Sequence, residues 1–170
     1  MSESKKALIL IDSNGQYDKE KKEHHTMKSA MVDVNFYNKL VSEIQSGKYS
    51  EIIYNINLPG CTTKEEIEDA LQKDPVLSKL NEEYRKKVKV FMGGYNLSKG
   101  FDTSFEGIKL ENKLAEQDYE FVIGGLYFDW CVETHERNLR YRYPNIKTST
   151  PIVLSRLSHP RARIDSDRFR

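Results

Sequence analysis

Tyr119-Glu-Phe-Val-Ile-Gly-Gly125 runs into Leu126-Tyr-Phe-Asp-Trp130 and then into Cys131-Val-Glu-Thr-His-Glu-Arg-Asn-Leu-Arg140. The first piece has the apolar, β-branched make-up of a buried strand and closes on two glycines. The last has the composition of a helix. A thiol therefore stands at or next to a helix N-terminus, just past the carboxyl end of a strand. Unpaired N–H groups and the positive end of the helix dipole favour a thiolate there. A small buried cysteine would read the same way in isolation.

Working outward, the same alternation recurs. Ala7-Leu-Ile-Leu-Ile11 is a continuous apolar run, too short for a helix and closed by Asp12-Ser-Asn-Gly15, so it predicts a strand buried on both faces. Polar, Lys-rich sequence runs on to His25. Met27, Met31, Val34, Leu40, Val41 and Ile44 fall at roughly helical spacing. Glu51–Asn57 is a second strand, stopped by Leu58-Pro-Gly60. Thr62 or Thr63 is placed to cap a helix towards Leu71, with Glu65 and Glu66 suited to its dipole. Asp74-Pro75 marks another start, predicting a short helix to Tyr84. Val88–Met92 is a third strand, a helix follows from about Glu106 to Ala115, and Phe121–Gly125 is the fourth strand. Lys147–Leu154 offers a fifth, with Pro151 placing it at an edge or forcing an irregularity.

Strands alternating with helices predict an α/β fold: a three-layer, doubly wound, mostly parallel sheet of about five to six strands with helices on both faces. At 170 residues the chain reads as one domain, residues 1–170, with a basic tail from about residue 155. With 31% charged residues and no apolar run near the ~20 residues of a membrane span, neither a membrane segment nor a secretory leader is expected. Cys61 and Cys131 are too few for a disulfide scaffold, and a cytoplasmic setting fits reduced thiols. The net charge of +1 excludes a global pull towards nucleic acid. Even so, Arg137 to Arg170 carries nine Lys/Arg against two Asp.

In doubly wound sheets, ligands gather beyond the carboxyl ends of the strands. That rule brings Asp12, the loop after Met92, and Cys131 to one edge. Asp12 either serves chemistry there or caps the following turn through an Asx hydrogen bond. Lys99 is either a partner of the thiol or a solvated lysine.

At this point the chain resembles the isochorismatase-like cysteine hydrolases, which include nicotinamidases and N-carbamoyl amidohydrolases. Ala7-Leu-Ile-Leu-Ile-Asp-Ser-Asn-Gly-Gln-Tyr17 resembles the family's opening strand. Lys99-Gly-Phe-Asp-Thr-Ser-Phe-Glu-Gly-Ile-Lys-Leu110 is similar to its lysine and Phe-bearing loop. Gly125-Leu-Tyr-Phe-Asp-Trp-Cys-Val-Glu-Thr134 resembles the signature Gly-x-x-x-Asp-x-Cys-Val-x-x-Thr. The resemblance implies a catalytic triad of Asp12, Lys99 and Cys131 that hydrolyses a small amide or ureide through a thioester. It also implies an oxyanion hole from the N–H groups of Tyr127 and Cys131, with a cis peptide between Leu126 and Tyr127. Substrate contacts would come from Asn14, Tyr17, Phe105, Tyr127 and Trp130. Counting back from Phe105 selects Lys99 as the triad lysine; aligning Gly93-Gly-Tyr95 with the strand end would put Met92 in its place.

Asn55-Ile-Asn-Leu-Pro-Gly-Cys61 lacks the Asp-x-His ligands of metal-dependent nicotinamidases, and His24-His25 has no metal spacing, so neither metal nor cofactor is expected. Tyr127, Phe128 and Trp130 either pack against the sheet or a neighbouring subunit, or wall a planar ligand. His135, one turn after Cys131, can lean back towards the sulfur or lie partly exposed. The partners expected are a small-molecule substrate and, by analogy with the family, further copies of the chain. A silent relative that binds or sequesters a ligand is the rival reading. Nucleic-acid binding through Arg156, Arg161, Arg163, Arg168 and Arg170 is a third and weaker one.

Overall fold

The computed structural model describes residues 5–12, 16–25, 34–58, 60–93, 104–126 and 128–156. Strand β1 (Lys6–Ile11) is the centre of the molecule, and every residue from Ala7 to Ile11 is buried. It is followed by a small hairpin, β2 (Gln16–Asp18) and β3 (Glu23–His25), and by helix α1 (Val34–Ile44). Then come β4 (Glu51–Asn57), α2 (Lys64–Gln72), α3 (Glu82–Lys87), β5 (Val88–Gly93), α4 (Ser104–Glu116) and β6 (Glu120–Leu126). Helix α5 (Glu133–Arg142) and the short strands β7 (Lys147–Ser149) and β8 (Ser155–Arg156) complete the described fold.

The main sheet has six strands in the order β5-β4-β1-β6-β7, with β8 also pairing β6, and every pairing in it is parallel. Alternation along β1 sorts its side chains between two cores. Leu8 and Leu10 join Ile52, Tyr54 and Ile56 of β4 beneath Phe36, Leu40 and Ile44 of α1 and Ile67 of α2. Ala7, Ile9 and Ile11 join Phe121 and Ile123 beneath Leu114 of α4 and Leu139 of α5. Helices therefore cover both faces, which is why the central strands read as uninterrupted apolar runs. The expected three-layer α/β architecture is the one observed.

Local chemistry sets the element boundaries. Thr63 caps α2: the Glu66 N–H donates to Thr63 Oγ1 at 3.2 Å, and the Thr63 N–H donates to Glu66 Oε2 at 3.1 Å. These reciprocal bonds satisfy N–H groups that a helix start leaves without partners. The single helix expected from Asp74 to Tyr84 is instead two pieces. Buried Asp74 accepts from the N–H groups of Val76 (2.8 Å) and Leu77 (2.7 Å), which tightens the chain into a 3-10 turn at Leu77–Lys79. Asn81 then caps α3 separately. The expected strand Lys147–Leu154 is likewise broken. β7 stops at Ser149, Pro151 follows, a 3-10 turn occupies Ile152–Leu154, and pairing resumes at Ser155.

The hairpin β2–β3 lies in the stretch read only as polar sequence, and it places Tyr17 in the core. Of the helix expected from Met27, the part from Val34 is described, and Met27 to Asp33 lie outside the described residues. Residues 157–170, which hold most of the basic tail, also lie outside them. No helix among the described residues is long and apolar enough to cross a membrane.

Candidate functional site

Numbering only the strands of the main sheet along the chain, their order is third, second, first, fourth, fifth. The order reverses between β1 and β6, and at such a switch point helices leave to opposite faces and open a crevice at the carboxyl ends. Asp12 ends β1 and Cys131 follows β6, so both stand at this crevice. The backbone there leaves no room for a side chain. Ile11 pairs with Gly125, whose φ is +124°, and a Cβ on Gly125 would lie 2.0 Å from the Ile11 carbonyl oxygen. Only glycine permits that approach.

Asp12 itself has φ +48°, a left-handed conformation that Asp tolerates better than most residues. Its N–H donates to the Asn55 carbonyl at 2.8 Å, prolonging the β1–β4 pairing as the chain turns. Cys131 lies in a π-helical turn, Phe128–Val132, which leads into α5. The helix expected to start at Cys131 thus takes its regular form only at Glu133. Wide turns of this type recur at functional sites.

The side chains of Asp12 and Cys131 are hydrogen-bonded, with the thiol as donor to the carboxylate. Burial raises the Asp12 carboxyl above its ordinary range; the bond from Cys131 and the charge of His135 pull the other way. His135 Nε2 is 2.9 Å from Glu111 Oε1. Glu111 projects from α4 into the interior and is fully buried. It also accepts from Asn55 Nδ2 at 3.4 Å and, through Oε2, from Arg142 Nη2 at 3.4 Å. A buried carboxylate is costly unless it is paired, and this one is enclosed by donors from β4 and α5.

A cavity of about 250 Å³ opens beside these groups. Asp12, Asn55, Asn57, Ser104, Glu111 and His135 supply its polar wall. Cys131 adjoins Asp12 but is not one of the lining residues. The volume suits a small molecule rather than a polymer. Among the described residues, no group of three or more His, Cys, Asp or Glu side chains could hold a metal ion.

The residues singled out by sequence meet different fates. Asp12 and Cys131 come together. Lys99, Asn14 and Tyr127 lie outside the described residues, and with them the lysine register, the expected oxyanion donor and the cis peptide. Leu126 is buried where β6 meets β8, paired with Arg156. Tyr17 is buried in the core and donates its hydroxyl to Asp69 of α2. Phe105 and Trp130 are 62% and 69% exposed, and neither lines the cavity. The sequence reading missed Glu111, Asn55 and Arg142. The available signal was the spacing of Gly107, Glu111 and Leu114, which sets a carboxylate on the buried stripe of α4.

Comparison of the chain with protein-family models, with curated proteins and with solved structures finds no match.

Proposed function

We propose that the chain is a cysteine-dependent hydrolase of a small amide or ureide, with Cys131 as nucleophile and Asp12 as its proton acceptor. The observation that carries this reading is the thiol–carboxylate hydrogen bond at the sheet's switch point, beside a cavity of small-molecule size. The Cys131 proton passes to Asp12, and the sulfur's electron pair forms a bond to the amide carbon. The tetrahedral intermediate collapses, the C–N bond breaks, and Asp12 returns the proton to the departing amine. Water then hydrolyses the thioester. Backbone N–H groups at the start of the helical turn, with those of Tyr127 and Cys131 the pair implied by the resemblance, are suited to the oxyanion. Lys99 completes the triad that the resemblance implies. The scheme needs no cofactor and suits a reducing, cytoplasmic setting, in one or several copies of the chain.

A second reading is a silent pocket that binds or sequesters a small ligand. One observation favours it: Cys131 is not among the residues that line the cavity. Competitive labelling separates the two. Cys61 is buried, and burial followed by the Glu66 charge raises its thiol, so it is an internal slow standard. With iodoacetamide at neutral pH the hydrolase reading expects Cys131 to label well ahead of Cys61. It also expects ammonia release from at least one member of a panel of small amides and ureides, lost in Cys131→Ala. Equal labelling and no turnover across the panel would leave only the binder.

A further inference from the structure

The cavity wall holds a charged pair that the scheme above leaves unused. Glu111 sits on the buried stripe of α4, and its Oε1 lies 2.9 Å from His135 Nε2. A carboxylate accepts and does not donate, so this bond fixes a proton on Nε2. Among the described residues Nδ1 has no hydrogen-bond partner, and the ring shares the cavity with Asp12. Resting on the hydrolase reading, we infer that His135, its ring oriented by Glu111 and sharing the cavity with Asp12, readies that carboxylate to take the Cys131 proton. His135 acts through Asp12 and is therefore a positioning residue.

The surroundings make the assignment specific. Among the described residues, the groups that act on Asp12 are the Cys131 thiol from the π-helical turn, the His135 ring from α5 and, more weakly, the Tyr54 phenol from β4. Among the described residues, those that act on His135 are Asp12 and Glu111, and Glu111 is held in turn by Arg142 and Asn55. Among the described residues, His135 is the one basic side chain whose charge acts on Asp12. Burial raises the Asp12 carboxyl and the charge of His135 pulls it back down, so losing that ring leaves less of Asp12 ready to accept the thiol's proton. The bond to Glu111 fixes the Nε2–H and orients the ring.

The test is the pH profile of Cys131 alkylation by iodoacetamide in the full chain, in which the S–C bond forms as iodide leaves. His135→Gln keeps a polar side chain and removes the basic ring. Neutral-pH labelling of Cys131 is expected to slow about tenfold, the low end of what a close opposite charge does to a titrating partner, and the profile should move to higher pH. Glu111→Gln still accepts from Nε2–H but loses its charge, so a smaller displacement in the same direction is expected. His135→Lys restores a cation and should recover most of the rate. Unchanged thermal melts would show that all three fold. A profile indifferent to His135→Gln but displaced by Lys99→Met would overturn the inference and return the role to the lysine. Failure is distinguishable from that of the hydrolase reading, which falls if Cys131 in the unaltered chain labels no faster than Cys61 and no amide or ureide of the panel is turned over.

Discussion

Replacing Gly125 with alanine tests how β1 and β6 are brought together at the site. The new Cβ would stand 2.0 Å from the Ile11 carbonyl oxygen and 2.7 Å from the Ile11 nitrogen, both backbone atoms of a central strand. Neither can rotate away, so the strands must separate. At φ +124° an alanine also occupies a region that is essentially glycine's, at a cost of about 1–3 kcal/mol. Overpacking against a rigid core adds about 1–3 kcal/mol. The total, roughly 2–6 kcal/mol, is a large part of the 5–15 kcal/mol that holds an ordinary domain together. With a urea m-value of about 2 kcal/mol/M, the unfolding midpoint should fall by roughly 1–3 M at unchanged slope. Gly60→Ala is the control. Its φ is +87°, but nothing lies within 4 Å of the added carbon, so only backbone strain of about 1–2 kcal/mol applies. If the two variants lost the same stability, close strand approach at Gly125 would not be the reason for glycine there.

Two further predictions concern single side chains. Burial holds the Asp12 carboxyl above its ordinary value of 3.8, so in the acid window just above that value the folded chain keeps a proton there that the unfolded chain has lost. The stability linked to this group is full below that value and declines as pH rises through the raised one. Asp12→Asn removes the decline, and the variant should gain on the wild type as pH rises from 3.8; urea midpoints measured in parallel would refute this if their difference were flat. Thr63→Ala removes the side-chain half of the α2 capping box and should cost about 1 kcal/mol by urea unfolding, whereas Thr63→Ser should cost little.

The central strands were legible because burial on both faces forces apolar runs, as in Ala7–Ile11, Glu51–Asn57 and Phe121–Gly125. The pairing of Asp12 with Cys131 was legible for a related reason. Once the strand order is doubly wound, the ends of the first and fourth strands of the sheet must meet at the crevice. The hairpin was not legible. Its three-residue strands are polar, and Tyr17 alone among their described side chains reaches the core. Nor was the split between Asp74 and Tyr84, where a buried carboxylate takes two N–H groups that a continuous helix would have used. Glu111 was hidden by composition: among Glu106, Lys109, Lys113 and Glu116, one more acidic residue reads as solvated surface. Its burial depends on partners from β4 and α5, which only the tertiary fold supplies. Lys99, on which the triad implied by the resemblance depends, lies outside the described residues.

The left-handed backbone at Asp12 narrows the substitutions that position can accept over evolutionary time. Asparagine, aspartate and glycine adopt that conformation most readily, so drift there is channelled towards a neutral amide of nearly the same shape. That exchange would erase a proton acceptor while leaving every strand where it was. If the hydrolase reading holds, a lineage carrying this architecture can shed that chemistry in one step without unfolding, and persistence of the scaffold among its descendants would be no guide to whether they turn over a substrate.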